Sequence, residues 1–524
     1  MQGRRFTSAF AGVLACAVGV AYANSFSVGF VFDDTYGLTQ NPAIRSLANI
    51  PRFFVDSSLL TTYRWNIDVR PVLQATYALN YFISGLEPWS WRVFNLVVHF
   101  TTAVLVFFTV RDHVWWPRED RGPAGRARWP AAVTALIFAL SPLNQQAVVY
   151  LWARSALLCT CFYVAAFLAF VKRRTALACA LFLLALLTKT IAVTLPLVIL
   201  AYQLVEHGGS VRDWARELRT VAWRIGALVA VLVAFLVYRA TVLPSWTSQT
   251  RHEAWVTPWI YFMSQWTAYL YYVRLFLWPN ALSVDHDFAY NTSFLTARTL
   301  LSLAGVVVWI GLALRQVRRW PIFAFGTAWY FVTLATESTV APISELINDH
   351  RPYLGTALGL ALVFAWLLDG AARRLTARST IALGAATSAL AVAAILVVRE
   401  RNWVWQDNLR LWIDTAEKSP TNGRALTNAG QQLMAHGRLE EARAYFNRAL
   451  AVAPYYNFLH LNLSVLATAE RKPDVAVKEA EEAVRLTPDL PIVHQYLADA
   501  LLRAGRPAEA RAELERATEL ARRP

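Results

Sequence analysis

Two adjacent carboxylates, Asp33 and Asp34, interrupt the apolar stretch "SVGFVFDDTYGLTQNPAIRSL" at residues 27–47. Adjacent like charges repel, so such a pair persists where a cation or an exchangeable proton meets it. One member can take a proton from a hydroxyl while its neighbour orients the reactant or a divalent ion, and repulsion moves one pKa toward a working range. Cations suited to anionic oxygens recur beside apolar sequence: Arg70 in "DVRPV", Arg154 in "SPLNQQAVVYLWARSALL", Lys189 in "LLTKTIAV" and Arg351 in "ELINDHRPYLG". The planar guanidinium fork donates two hydrogen bonds at once to a phosphate. Beside these stand side chains able to position hydroxyls or phosphate oxygens: Asn95 and His99, four residues apart on one helical face of "WRVFNLVVHF", with Gln146, His350 and Tyr353. "SVDHDFAY" adds Asp285 and His286, which with Asp33 and Asp34 form a candidate ligand set for Mg2+ or Mn2+. No other cofactor is indicated, and "NTS" at 291–293 matches the glycosylation triplet.

The elements that must hold these residues are membrane helices. Of 524 residues, 56% are hydrophobic and 16% charged, the composition of a polytopic membrane protein. Apolar runs near 9–27, 93–110, 130–146, 148–170, 175–188, 190–205, 224–243, 298–314, 321–336, 353–369 and 380–398 read as eleven spans. The N-terminal "MQGRR" and its apolar run read as an uncleaved anchor, because apolar character resumes at once in "FSVGFVF". The stretch 255–278 is packed with Trp and Tyr and is expected to lie in the interface, a twelfth span being the alternative.

The net charge of +15 sits in short connections: "RDHVWWPREDRGPAGRAR", "KRR", "RDWARELR", "RQVRR" and "ARRLTAR". That is the positive-inside distribution, and it argues against nucleic acid as a partner. With the N-terminus inside, alternation places 28–92, 244–297, 337–352 and everything after about 399 on the outer face. The candidate residues, together with Asp56, Arg64 and Asp68 of the first outer loop, then gather on that side. Four cysteines, all within apolar segments, give neither a disulfide framework nor a zinc spacing.

After residue 400 the composition turns to Ala, Glu, Arg and Leu with helical periodicity. Pro420, Pro454 and Pro488 stand 34 residues apart; Ala442, Ala476 and Ala510 align, as do Ala449, Ala483 and Ala517, and Gly437 with Gly505. This is the tetratricopeptide period. Repeats are expected over 421–454, 455–488 and 489–522, joined to the membrane domain, 1–399, by a linker helix at 400–420.

"FVFDD", then "NP", "RP" and an Asn and His four apart entering the second span, together resemble the transmembrane-and-tetratricopeptide-repeat O-mannosyltransferases and their bacterial relatives. "SPLNQQAVVYLWARSALL" looks like their "HP-x-x-x-E-A-V…GRA-x-LL" element, and "DHRPYLG" is similar to their "ERxLYLPS" box. The order holds over most of the chain. Ser141, Gln146 and Thr190 depart from it, standing where the family has His, Glu and Glu.

The resemblance implies an all-α fold of the GT-C glycosyltransferase type carrying the repeats, with a polyprenyl-phosphate sugar as donor. On that basis Asp33 or Asp34 is the expected base. Arg70, Arg154, Lys189 and Arg351 surround the leaving phosphate; Asn95, His99, Gln146, His350 and Tyr353 position substrates. The chain has no Gly-rich nucleotide loop, so a lipid-linked donor is more economical than a nucleotide sugar. The acceptor is expected to be Ser or Thr of an exported protein bound by the repeat groove, at a bacterial inner membrane with the repeats in the periplasm. A membrane-anchored scaffold for envelope or secretion assembly is the alternative, which leaves the convergence of acidic and basic residues on one face without a purpose.

Overall fold

The computed structural model describes residues 2–60, 70–115, 127–207, 211–243, 256–338 and 345–522; Arg64 and Asp68 lie outside the described residues. Every regular element among the described residues is helical. The chain forms two compact units, one of Met1–Leu282 with Ala289–Gln406 and one of Ser283–Phe288 with Asp407–Pro524.

Among the described residues of the first unit, seven helices are long and apolar enough to cross a membrane: Arg5–Ser27, Pro88–Val114, Arg154–Val171, Leu218–Thr241, Ala297–Arg315, Tyr353–Ala372 and Ile381–Val404. A spanning helix satisfies its backbone polar groups internally, which hydrocarbon demands. The pair Arg128–Leu140 and Pro142–Val149 is long and apolar enough only when its two helices, bent by 51°, are taken together. Pro142 disfavours helical backbone at Ser141, and Asn144 Nδ2 donates to the freed Phe138 carbonyl at 2.8 Å.

The other three expected spans are the shorter apolar helices Thr175–Leu186, Thr190–Glu206 and Pro321–Leu334. Each of the eleven expected apolar runs thus corresponds to a helix, to the bent pair or to one of these shorter helices. The first of these ends just before Thr188 and Lys189, the second begins after Lys189, and the third ends shortly before Glu337. Irregular backbone at such depth is tolerated where protein buries it. The aromatic stretch expected in the interface forms the helix Pro258–Leu277. It is not among the helices apolar enough to cross, and it buries Met263 and Trp266 against Val306 of Ala297–Arg315.

In the second unit the expected linker divides. Residues up to Val404 continue the helix Ala377–Val404, and a new helix, Asn408–Lys418, starts where Asp407 accepts the Arg410 N–H at 2.8 Å. Three helix pairs follow: Gly423–Ala435 with Leu439–Val452, Asn457–Ala469 with Pro473–Leu486, and Pro491–Arg503 with Pro507–Arg522. The aligned alanines are buried, as close helix packing requires. Between the helices of a pair the backbone turns left-handed, at Gly437 (φ 74°), Arg471 (φ 61°) and Gly505 (φ 76°).

His460 and His494 each bridge a glutamate, Glu479 or Glu513, and a proline carbonyl, Pro454 or Pro488. The hexapeptide Ser283–Phe288 is part of this unit. Asp285 Oδ2 accepts from Arg424 Nε at 2.7 Å, Asp287 Oδ2 accepts the Thr421 N–H at 3.1 Å, and Ser419 Oγ donates to the Asp285 carbonyl at 2.9 Å.

Candidate active site

The chain leaves the first helix through the short turn Ala23–Ser27 and reverses at Phe32, whose φ of 55° is a conformation phenylalanine seldom adopts. The Phe32 ring stacks on Tyr150 at 5.9 Å. This turn gives the two carboxylates different surroundings. Asp34 is fully buried, with Oδ1 accepting the Trp152 N–H at 2.8 Å and Oδ2 the Val31 N–H at 3.3 Å. Burial raises its pKa to about 7, against the opposing pull of Arg92 and those two N–H groups.

Arg92 ties the same loop down, donating to the Val28, Gly29 and Val149 carbonyls. Asp33 stays partly exposed and accepts from the Tyr150 hydroxyl at 2.7 Å. Burial and the neighbouring carboxylates push the Tyr150 phenol well above its ordinary value, so it remains a donor. Gly37 packs beneath Trp152: a Cβ there would stand 1.7 Å from the indole ring. The side chain of Trp152 thus fixes the backbone that holds Asp34.

Three of the four expected cations converge. Lys189, in the irregular segment between two short helices, pairs with Glu337 through Nζ and Oε1 at 2.7 Å. Arg351 donates to the Leu346 carbonyl at 3.0 Å, and Arg70 Nη1 donates to Ser155 Oγ at 2.9 Å. Burial, then Lys189, Arg351 and Arg70, hold the His350 imidazole well below its ordinary pKa, so it is neutral. His350 Nδ1 lies 3.3 Å from Gln146 Oε1, which can only accept. Nδ1 is then the protonated nitrogen and Nε2 the acceptor. Glu345 is within electrostatic range of both Tyr150 and Arg351, which puts the acidic and basic groups in one neighbourhood.

The remaining expected residues are engaged elsewhere. Arg154 is wholly buried and is not placed to meet a phosphate: Nε and Nη1 donate to Asn95 Oδ1 and Asn80 Oδ1, each at 2.7 Å, and Nη2 to the Trp91 carbonyl at 3.2 Å. The Tyr77, Trp91 and Phe94 rings enclose its guanidinium. Asn95 completes this strut by donating to the Val148 carbonyl at 2.7 Å. His99 bridges the Tyr353 hydroxyl at 2.7 Å and the Ala139 carbonyl at 3.0 Å inside the helix bundle. Asn95, His99 and Tyr353 therefore join helices to one another, with their polar atoms satisfied by protein.

Among the described residues no group of three or more His, Cys, Asp or Glu side chains is arranged to hold a metal ion. Of the four expected ligands, Asp285 and His286 belong to the repeat unit and Asp33 and Asp34 to the membrane unit, and Asp285 is paired with Arg424. Asn291 of the glycosylation triplet is buried, donating to the Met263 carbonyl and Thr267 Oγ1, and is closed to modification. Sequence reasoning missed Glu337, Tyr150 and the Gly37 contact. Glu337 carried a usable signal: a lone carboxylate directly after the apolar run 321–336, the same anomaly that marked Lys189.

A tetratricopeptide-repeat family model matches residues 423–456. Protein O-mannosyl-transferase Tmtc3 of Drosophila melanogaster is 21% identical over 85% of this chain and 55% of its own length. Protein O-mannosyl-transferase TMTC3 of Mus musculus is 23% identical over 86% of this chain and 52% of its own. The chain resembles protein O-mannosyltransferases. It spans about half the length of these O-mannosyltransferases. Among solved structures, ArnT from Cupriavidus metallidurans bound to undecaprenyl phosphate aligns at 16% identity and a TM-score of 0.41, over 93% of this chain and 79% of that one.

Proposed function

We propose that this chain is a membrane glycosyltransferase of the GT-C type. It transfers a sugar from a polyprenyl-phosphate-linked donor to an acceptor hydroxyl, Ser or Thr of an exported protein, on the periplasmic face of a bacterial inner membrane. The observation that carries the reading is the convergence of Arg70, Lys189 and Arg351 around a neutral His350, with Asp33 and Tyr150 linked to the same neighbourhood through Glu345. A fixed cluster of cations serves a leaving phosphate, because preorganised charge stabilises the charge that develops as the bond breaks.

Asp33 is the base in this scheme. Asp34 has both oxygens held by main-chain N–H groups and no exposed surface, whereas Asp33 is partly exposed. The Asp33 carboxylate takes the acceptor's proton as the hydroxyl oxygen bonds to the anomeric carbon. The bond from that carbon to the phosphate oxygen breaks, its electron pair stays on the phosphate, and Arg70, Lys189 and Arg351 neutralise it. Direct in-line attack inverts the anomeric centre. His350 Nε2 accepts from a sugar hydroxyl, and the repeats bind the acceptor polypeptide.

The test is transfer by the full-length protein in proteoliposomes, alongside intact-mass analysis of envelope proteins with and without the gene. Loss of a sugar-sized mass increment without the gene is the expected result. Asp33→Asn is expected to lower transfer about 1,000-fold or more, at the upper part of the range for general-base loss, with insertion unchanged. Arg351→Ala is expected to weaken donor binding more than acceptor binding. Normal transfer by Asp33→Asn removes the proposed base.

A further inference from the structure

Glu337 takes no part in the transfer step, yet it stands within electrostatic range of Lys189, Arg351 and Arg70. Its Oε1 is committed to Lys189 at 2.7 Å. Oε2 is buried and has no hydrogen-bond partner among the described residues. Burial works against the charged form, but the three cations outweigh it, and the carboxyl is held below its ordinary range. Two N–H donors are also buried without a partner among the described residues, Gln146 Nε2 and Gln265 Nε2. Gln146 faces His350, and Gln265 accepts from the hydroxyl of Ser338, next to Glu337. The neighbourhood thus holds buried, unpartnered amide N–H donors near three cations, as a site for an oxygen-rich anion does.

The charges of donor and product raise a release problem. A sugar on lipid phosphate is a phosphodiester with one negative charge. The spent lipid is a monoester carrying about −1.5 to −2 near neutral pH. Three fixed cations therefore hold the product more tightly than the donor, and turnover stalls unless something competes for them.

We propose that Glu337 is that competitor. It is the resting counter-ion of the phosphate site, displaced from Lys189 when the donor's phosphate arrives and returning to expel the spent polyprenyl phosphate after transfer. No covalent bond changes in this step, only the partner of Lys189. The inference rests on the glycosyltransferase reading of the same cations, and Glu337 acts in it as a positioning and release residue.

The test uses the full-length protein in nanodiscs, with a polyprenyl monophosphate as probe. Glu337→Gln keeps the shape and the acceptor toward Lys189 but removes the charge. It is expected to bind the probe about tenfold more tightly, since one opposing charge is lost beside the cations. Its steady-state kcat is expected to fall further than its single-turnover rate, because release becomes limiting; a purely structural defect lowers both together. Glu337→Asp, which restores the charge, should return product affinity toward that of the unsubstituted protein. Equal or weaker probe binding by Glu337→Gln overturns the proposal while leaving the enzymatic reading in place. If Lys189→Met binds the probe as well as the unsubstituted protein does, the phosphate site itself fails, and both readings fall together.

Discussion

At the level of single residues, the informative contrast is between Asp33 and Asp34, neighbours with opposite environments. Phe32 adopts a left-handed turn and Asp34 opens a helical one, with φ −55° and ψ −32°. Successive side chains then point in different directions around the turn, so one carboxylate goes into the protein and the other stays near its surface. The buried one carries a pH signature. Its folded pKa of about 7 lies above the ordinary 3.8, so the folded state binds the proton more tightly than the unfolded chain. That stability is fully present below about pH 4 and is lost as the pH rises through about 7. In Asp34→Asn, thermal unfolding in detergent should lose much of its pH dependence between 4 and 8; an unchanged profile assigns that dependence to other groups. The sequence revealed the pair and its oddity, because charge beside an apolar run is visible in one dimension. It did not reveal their division of labour, which depends on a backbone angle at Phe32 and on Trp152, far along the chain. Arg154 misled for a related reason: burial beside three aromatic rings and two asparagine side chains is a three-dimensional fact, and the residue type alone fits a phosphate equally well.

At the level of elements, the repeats were the most legible part, since a 34-residue period is written in prolines, alanines and glycines. The membrane helices were legible in place, each expected apolar run corresponding to a helix, whereas the 51° bend between Leu140 and Pro142 was not. Pro142 is visible in the sequence, but the hydropathy run 130–146 continues through it, and the Asn144 side chain that satisfies the freed Phe138 carbonyl is a three-dimensional fact. Within the repeats one local rule is broken. Arg471 occupies the left-handed turn position that Gly437 and Gly505 fill in the flanking repeats, at φ 61° and exposed. A non-glycine residue there costs roughly 1–2 kcal/mol, part of which is offset by the greater freedom glycine has when unfolded. Arg471→Gly should therefore stabilise the second repeat by about 0.5–1 kcal/mol, measured as slower amide exchange in Asn457–Ala469 and Pro473–Leu486. Faster exchange would mean that the Arg471 side chain contributes more than its backbone strain removes.

At the level of the whole molecule, the notable division is that the repeat unit is built from two separated stretches of chain. Asp285 is nearly buried, with 9% side-chain exposure, and Arg424 partly so, at 33%. Arg424→Ala leaves that carboxylate without its guanidinium, at a cost of about 2 kcal/mol, below that of a fully buried pair because Arg424 keeps part of its hydration. The expected readout is faster proteolysis at the start of the first repeat, with the membrane unit's unfolding unchanged; an unaltered digestion pattern makes the pair dispensable. The sequence read "DHD" as a solvated loop ahead of a metal clamp, and a run of acids around a histidine suits a cation equally whether that cation is an ion or an arginine. Only the arrangement of Arg424 and Thr421 decides between them.

The hexapeptide Ser283–Phe288 also sets an order of assembly. A ribosome adding about 5–20 residues per second finishes this segment on the order of ten seconds before it reaches Asp407. During that interval the segment stays without the partners it has in the finished protein, until the first repeat emerges. Biogenesis of the C-terminal array is thereby tied to successful insertion of the helices around residue 283. For the same reason the array is not a detachable cassette: a chimaera joined at Asp407 inherits its last hundred-odd residues from one parent and six of their packing partners from the other.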